Sequence, residues 1–260
     1  MMQSKKEIRL CEQKLNYQRC LMKIIEYNDA NDMIVEFQDE YKAKVHAAYK
    51  EFKNSCVKNP YCPSVYGVGM LGVKYPAKVN EQSEKEYLIW RKMLERCYDE
   101  KFKEKRSTYE NVTCCSEWLY YENFYEWLHS QPNFDKWLNG ERWAVDKDIL
   151  IKGNKVYSPE TCCLVPNNVN GLFVKQDRKR GILPIGVNKK GNKFQVYCHN
   201  PLTNKKECLG TFNTIEEAFY AYKQRKEKII RQVAESEYNN GNITEQCYKA
   251  MMNYQVEITD

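Results

Sequence analysis

Polar and apolar residues alternate in two short segments near the start of the chain. Residues 18–27 and 32–39 are rich in β-branched and aromatic side chains, and the turn-forming residues 28–31 separate them. This pattern predicts a β-hairpin. Glycine and proline recur between residues 59 and 76, which indicates a loop-like linker.

Helical spacing of apolar residues replaces this alternation in the middle of the chain. A helix is predicted from Ser83, with Ser83 as N-cap and Glu86 as its capping-box partner. A second helix is predicted over 116–129, and we expect its aromatic stripe to lie in a core. Residues 143–157 predict a strand, a turn at 153–154 and a return strand, followed by a short cysteine-rich segment.

Strand and helix signals follow one another in the last third of the chain. Thr214 and Glu217 form a second candidate capping box. The basic segment 175–181 is the best candidate for a domain boundary. The elements predicted after it are strands at 184–189, 193–199 and 205–210, a helix from Thr214 to about Ser236, and a short helix at 244–252.

Composition excludes a membrane-spanning protein and favours a cytoplasmic one. The 260 residues contain no apolar run of the length that a bilayer requires, and the first residues lack the apolar core of a signal peptide. With no export signal, we expect the 12 cysteines to be reduced, and most of them to pack as small hydrophobic residues.

The positive charge is concentrated in one segment. Residues 171–232 contain 14 Lys and Arg against 5 Asp and Glu, a net charge of +9, whereas the whole chain has +6. Such a segment is typical of a nucleic-acid reader, although a solvated basic face is also common.

The second strand of this basic segment predicts two different faces. Phe194, Val196 and Cys198 should pack on the helix, while the residues between them should point to solvent. An exposed antiparallel face can alternate in this way without any partner, but the local charge favours double-stranded DNA in the major groove. The predicted DNA-binding residues are Arg180, Asn188, Lys189, Lys190, Lys193, Gln195, Tyr197 and Lys205, with Arg180, Lys189, Lys190 and Lys205 assigned to phosphates.

About residues 180–232 resemble the ethylene-response-factor (APETALA-type) DNA-binding domain of plants, which also occurs in phage and mobile-element nucleases. The match includes Gly186-Val187, the run 209–212 and the helix 216–222. The resemblance implies a three-stranded sheet that docks on duplex DNA. Asn188 and Phe194 replace the family's Arg and Trp, so its target sequence does not transfer.

Residues 84–173 resemble the phage HNH-type (homing) endonuclease family. The matches include 87–98, 112–124, 145–149 and 157–162. The resemblance implies a ββα-metal centre that hydrolyses phosphodiesters with Mg²⁺ or Mn²⁺. Asp146 with Asn168 or Asn170, and also Asp148, would hold the metal ion.

Lys147 occupies the position of the family's catalytic histidine, which puts cleavage in doubt because lysine is protonated near neutral pH. Two interpretations remain open. Asp146, Lys147 and Asn168 form a catalytic set in which Lys147 acts as base or stabilises charge, or the fold grips DNA without cutting it. A structural zinc ion on the cysteine pairs 114–115 and 162–163 is disfavoured by their spacing.

Together these patterns predict an α+β protein of three modules. These are an N-terminal β-hairpin module at 1–63, an HNH-like module at 64–175 and an ethylene-response-factor-like module with a terminal helix at 176–260. The predicted function is sequence-specific binding of double-stranded DNA, with metal-dependent endonuclease activity. The alternatives are a DNA-binding regulator without activity and an inhibitor that binds a host defence protein.

Overall fold

The chain folds into helices and small antiparallel sheets, which confirms the predicted α+β class. The computed structural model describes residues 5–174 and 183–260, with 35% helix and 24% strand. The basic segment 175–181, with Arg180, lies outside the described residues. The chain divides into two compact units, Met1–Glu126 and Trp127–Asp260. The three-module division stays a prediction.

The first unit combines a four-stranded sheet with short helices. Its elements are α1 Lys5–Arg9, β1 Gln13–Leu15, β2 Leu21–Tyr27, β3 Met33–Phe37, β4 Lys44–Ala47, α2 Tyr49–Lys53, β5 Lys78–Val79, β6 Gln82–Ser83, α3 Lys85–Tyr98, α4 Glu100–Lys105, a 3-10 turn Ser107–Tyr109, β7 Thr113–Cys114, a 3-10 turn Glu117–Leu119, and the start of α5 Tyr121–His129.

The predicted N-terminal hairpin is confirmed. Strands β1 to β4 form an antiparallel sheet in sequential order, and β2 pairs with β3. Met33, Val35 and Phe37 of β3 are fully buried, and alternate residues between them are partly exposed. This alternation places one face of the sheet on a core that also contains Phe52 of α2.

The capping box predicted at Ser83 is wrong, although the helix is present. Ser83 pairs with Lys78 in the small β5–β6 ladder, so Glu84 becomes the N-cap of α3 and makes no side-chain cap bond. The second predicted helix is divided in two. Tyr120 is extended because it bridges to Met70, and this ends the 3-10 turn before α5 begins.

The second unit contains a two-stranded hairpin, a three-stranded sheet and a long helix. Its elements are the end of α5, α6 Phe134–Leu138, β8 Trp143–Asp146, β9 Val156–Tyr157, β10 Cys163–Pro166, α7 Asn167–Asn170, β11 Val187–Lys190, β12 Lys193–Asn200, β13 Lys205–Phe212, α8 Ile215–Asn239 and α9 Glu245–Met252.

The partner predicted for the strand at 143–146, the segment that ends at 157, is wrong. Strand β8 pairs with β10, so that Asp146 lies opposite Cys163 and Trp143 opposite Pro166. The segment Cys163–Val165 is completely buried. It therefore provides an apolar partner for β8 that Val156–Tyr157, with one exposed residue, does not.

The three strands and two helices predicted at the end of the chain are confirmed, with small shifts of their bounds. Strand β11 starts only at Val187, because residues 184–187 form a turn in which the N–H of Val187 donates a hydrogen bond to the carbonyl of Pro184. Helix α8 begins with the predicted capping box of Thr214 and Glu217. Among the helices in the described part of the chain, none is long and apolar enough to cross a bilayer.

Candidate nucleic-acid interface

Helix α8 supports one face of the β11–β12–β13 sheet. Val196 and Cys198 of β12 are almost completely buried against a core that includes Ala218 and Phe219 of α8. Residues from the β8–β10 hairpin, such as Val165, join the same core. One face of the sheet therefore packs on this core.

Close backbone contact fixes the entry to this sheet. Gly186 has φ +79°, and a Cβ atom added there would lie 2.1 Å from the ring of Tyr222 on α8. Tyr222 is 5% exposed. Only glycine allows the chain to approach the helix this closely with this backbone conformation.

A β-bulge shapes the third strand. The register moves from Val196 opposite Gly210 to Tyr197 opposite Cys208, so Leu209 is an extra residue in β13. Leu209 packs against the core on the helix side. On either side of the bulge, the residues of β13 alternate between the two faces.

The face turned away from α8 is open to solvent, and we call it the open face. Lys193 and His199 of β12 are exposed there, and Gln195 and Tyr197 are partly exposed. Cross-strand partners continue the face on the neighbouring strands. The open face consists of Asn188, Lys190, Lys193, Gln195, Tyr197, His199, Lys206, Cys208 and Thr211.

The single carboxylate of the three strands is held on the opposite side. Glu207 lies opposite the buried Cys198, and its two oxygens accept hydrogen bonds from Arg225 of α8 at 2.6 and 2.9 Å. Asn200 donates a further bond to Glu207 at 3.0 Å. These bonds lower the pKa of Glu207 to about 2. The open face therefore has lysines but no carboxylate from its own strands.

An aromatic ring lies at the centre of the open face. The ammonium group of Lys206 is 4.4 Å from the centroid of the Tyr197 ring. This cation–π contact orients both side chains along the surface. Gln195 makes a weaker contact, with its Nε2 3.7 Å from the Sγ of Cys208.

Apart from Arg180, which lies outside the described residues, the predicted DNA-binding residues divide into two groups. Five of them are on the open face, namely Asn188, Lys190, Lys193, Gln195 and Tyr197. Lys189 and Lys205 are exposed, but they lie opposite Phe194 and Asn200 and so belong to the helix side. Lys206 and Thr211 were missed by the sequence prediction, which did not extend the alternation to the third strand.

The predicted catalytic residues Asp146 and Lys147 form part of a turn after β8. The Oδ1 atom of Asp146 accepts the backbone N–H groups of Asp148 and Ile149 at 2.7 and 2.9 Å. Burial raises the pKa of Asp146, and these two bonds oppose that shift. This carboxylate is thus already used to cap the turn.

Lys147 points into the protein and is 7% exposed. Its ammonium group donates to the carboxylate of Asp148 and, at 3.0 Å, to the carbonyl of Asn154. The side chain of Asn154 in turn donates to the carbonyl of Lys147 at 2.8 Å. These bonds close the loop between residues 147 and 154.

The predicted metal ligands Asn168 and Asn170 are on helix α7. The side chain of Asn168 donates to Glu237 of α8 at 2.8 Å, and its oxygen accepts the N–H of Val169 at 3.0 Å. The backbone carbonyl of Asn170 accepts the N–H of Phe173. The bond to Glu237 ties α7 to α8, and the other two bonds are local to α7 and the turn that follows it.

Three of the four predicted metal ligands, Asp146, Asp148 and Asn168, have side chains that are engaged by other groups of the protein. The N–H of Asn167 bonds to the carbonyl of Arg142, so α7 begins at the end of the hairpin that is remote from Asp146, about 13 Å along the strand. The carboxylate of Asp148 is paired with Lys147. A metal site would need these oxygens to converge within about 2.6 Å of one ion.

The cysteines are free thiols. Burial raises the pKa of Cys162 to about 12, which favours the neutral thiol of an inert core residue. In the described ranges 5–174 and 183–260, no group of three or more His, Cys, Asp and Glu side chains is placed to hold a metal ion.

The sheet and its open face are therefore the best-formed candidate site among the described residues. Comparison of the chain with models of protein families, with curated proteins and with solved structures gives no match.

Proposed function

We propose that the protein binds double-stranded DNA through the open face of the β11–β12–β13 sheet. The observation that carries this proposal is the charge of that face. Lys190, Lys193 and Lys206 project from it, while Glu207 is turned to the helix side and neutralised by Arg225. Duplex DNA is the polyanion that such a surface attracts, because its phosphates release counterions when lysines neutralise them.

The dimensions of the sheet support a groove rather than a flat contact. Three strands spaced by about 4.8 Å give a width of about 10 Å, and the major groove is about 12 Å wide. The outward side chains of β12 extend from Lys193 to His199, about 20 Å along the strand. Polar side chains at the middle of the face would approach base edges, and lysines at its ends would approach phosphates.

Binding would be measured by fluorescence anisotropy with the full chain and a labelled random duplex at several salt concentrations. If three lysines each neutralise one phosphate, log K should fall with log salt with a slope of about −3. The double variant Lys193→Ala/Lys206→Ala should bind more weakly, and its slope should be shallower by about 2, close to −1. Lys228→Ala is the matched control, since Lys228 is exposed on α8 and off the open face.

Two results would contradict the proposal. The first is an affinity for duplexes that does not depend on salt or is undetectable at low salt, which would favour the alternative of a protein partner. The second is an equal loss of affinity per lysine removed in Lys228→Ala, which would mean that the charge of the whole unit, and not the open face, binds DNA.

We further propose that the β8–β10 hairpin and α7 support the sheet without cutting DNA. The supporting observation is that Lys147 and Asn168 already have partners within the protein, Asp148 and Glu237. Cleavage with Mg²⁺ or Mn²⁺, as the HNH resemblance implies, would require these residues to exchange partners. The twelve free thiols suit a reducing compartment, so the proposed location is the cytoplasm.

A nicking assay separates the two functions. Supercoiled plasmid is incubated with the protein and Mg²⁺ or Mn²⁺, and nicked and linear products are quantified. We expect no products above those of Asp146→Asn, which keeps the oxygen that accepts the two backbone N–H groups. Metal-dependent cleavage by the unmodified chain that disappears in Asp146→Asn would show that the hairpin is catalytic.

A further inference from the structure

An uncharged polar row crosses the open face. Asn188 of β11 lies directly opposite Gln195 of β12, and Gln195 lies opposite Thr211 of β13. All three side chains are on the open face, where Asn188 and Thr211 are exposed and Gln195 is partly exposed. The row therefore presents two carboxamides and one threonine side by side to the same partner.

The chemistry of this row differs from that of the lysines around it. A carboxamide has one acceptor and two donor hydrogens, a pattern that matches the N6 and N7 atoms of adenine in the major groove. The methyl group of threonine can contact the methyl group of thymine. Within residues 5–174 and 183–260, the side chain of Gln195 makes one weak contact, to Cys208 at 3.7 Å, which a base edge can replace.

The position of the row also suits base contacts. Lys190 and Lys193 pair with each other on one side of it, and His199 pairs with Lys206 at the far end of the face. The cationic groups thus lie on both sides of the row along the strands. With lysines on the phosphates, the row between them would face the floor of the groove.

We propose that Asn188 and Gln195 read adenine in the major groove, with Thr211 against thymine, so that the protein prefers duplexes with A·T pairs at the centre of its site. This proposal rests on the proposed function of the open face. It adds a base preference, which the charge of the face alone would not produce, because phosphate contacts are independent of sequence.

The test begins with selection of bound duplexes from a random pool by the unmodified full-length protein. In the selected duplex, each central adenine is then replaced by 7-deazaadenine, which keeps the pairing and the N6 group but lacks the N7 acceptor. We expect this replacement to weaken binding by at least about 5-fold. Removal of the minor-groove acceptor N3 from the same adenines should leave the affinity unchanged.

Side-chain variants test the same contacts from the protein. Gln195→Ala and Asn188→Ala should each lower the preference for the selected duplex over a G·C-substituted one by about 5-fold to 150-fold. Lys193→Ala is the matched control, because it should weaken both duplexes by the same factor. Circular dichroism of each variant checks that the fold is retained, and the 7-deazaadenine experiment needs no variant.

The outcomes distinguish the inference from the function on which it rests. Salt-dependent binding without any base preference would overturn the adenine readout and leave the DNA-binding function standing. A preference for guanine that Gln195→Ala does not change would overturn the readout as well. Failure to bind any duplex at low salt would overturn both.

Discussion

Replacement of Gly186 by alanine should destabilise the β11–β12–β13 sheet more than the same change in an open turn. The new methyl group would lie 2.1 Å from Cδ2 and 2.3 Å from Cε2 of Tyr222, which is buried under the sheet. The ring cannot leave without displacing the α8 core. The backbone at Gly186 also has φ +79°, a conformation that disfavours alanine.

Two costs add at this position. The left-handed backbone costs alanine about 1–2 kcal/mol, and forcing an additional methyl group into a packed core costs about 1–3 kcal/mol. Gly186→Ala should therefore lower the free energy of unfolding by about 2–5 kcal/mol. Gly191→Ala is the matched control, since Gly191 has φ +61° but no atom within 4 Å of the added Cβ. The free energy of unfolding of Gly191→Ala should therefore fall only by the backbone cost of about 1–2 kcal/mol.

Hydrogen exchange measured by mass spectrometry on the full chain reports this difference locally. Peptides from α8, Ile215–Asn239, should exchange about 5-fold to 150-fold faster in Gly186→Ala than in Gly191→Ala. Peptides from the four-stranded sheet of the first unit should be unchanged. Equal exchange of α8 in the two variants would refute the close approach of Gly186 to Tyr222.

Three further results are expected. Because the pKa of Glu207 is lowered from 4.5 to about 2 by Arg225, their contact stabilises the fold above about pH 4.5 and is lost as the pH falls towards 2. The unfolding midpoint of the unmodified chain should therefore fall more between these values than that of Glu207→Gln, and parallel curves would contradict this. Asp146→Ala should lower stability at neutral pH by about 1–3 kcal/mol for each backbone N–H it leaves unpaired. Asp146→Asn should not lower the stability, because the amide keeps the accepting oxygen, and because burial, which raises the pKa of Asp146, already disfavours the charged form of the acid. Urea unfolding of both variants checks this. Iodoacetamide should label Cys208 in the native protein and Cys162 only after unfolding, and duplex DNA should slow the labelling of Cys208. Mass spectrometry of the labelled peptides measures this, and labelling of Cys162 before Cys208 would contradict the prediction.

Local signals in the sequence predicted the α8 sheet well. Thr214 and Glu217 satisfy each other's backbone N–H groups within four residues, so the start of α8 depends on little else. The alternation of Phe194, Val196 and Cys198 with polar residues also needs only one buried face. The open face on β12 was therefore predictable before any partner strand was known.

Pairing between distant segments was not predictable from such signals. Ser83 has the residue type of an N-cap, but its pairing with Lys78 gives that role to Glu84. The partner of β8 is separated from it by a long loop, and alternation does not tell which later strand returns. The bond from the ammonium group of Lys147 to the carbonyl of Asn154 likewise depends on how that loop folds, and residue type alone could not reveal it.

The extra residue at Leu209 has a consequence for the sign of the surface potential. Counting back from the inward Phe212 in strict steps of two would put Lys206 beneath the sheet and Glu207 on the outside. The bulge takes up Leu209 without using a position in the alternation, so the opposite order holds for the first half of the strand. This local irregularity of pairing thus decides whether a polyanion meets an ammonium or a carboxylate group there, and a slip of the strand that straightened the bulge would turn attraction into repulsion.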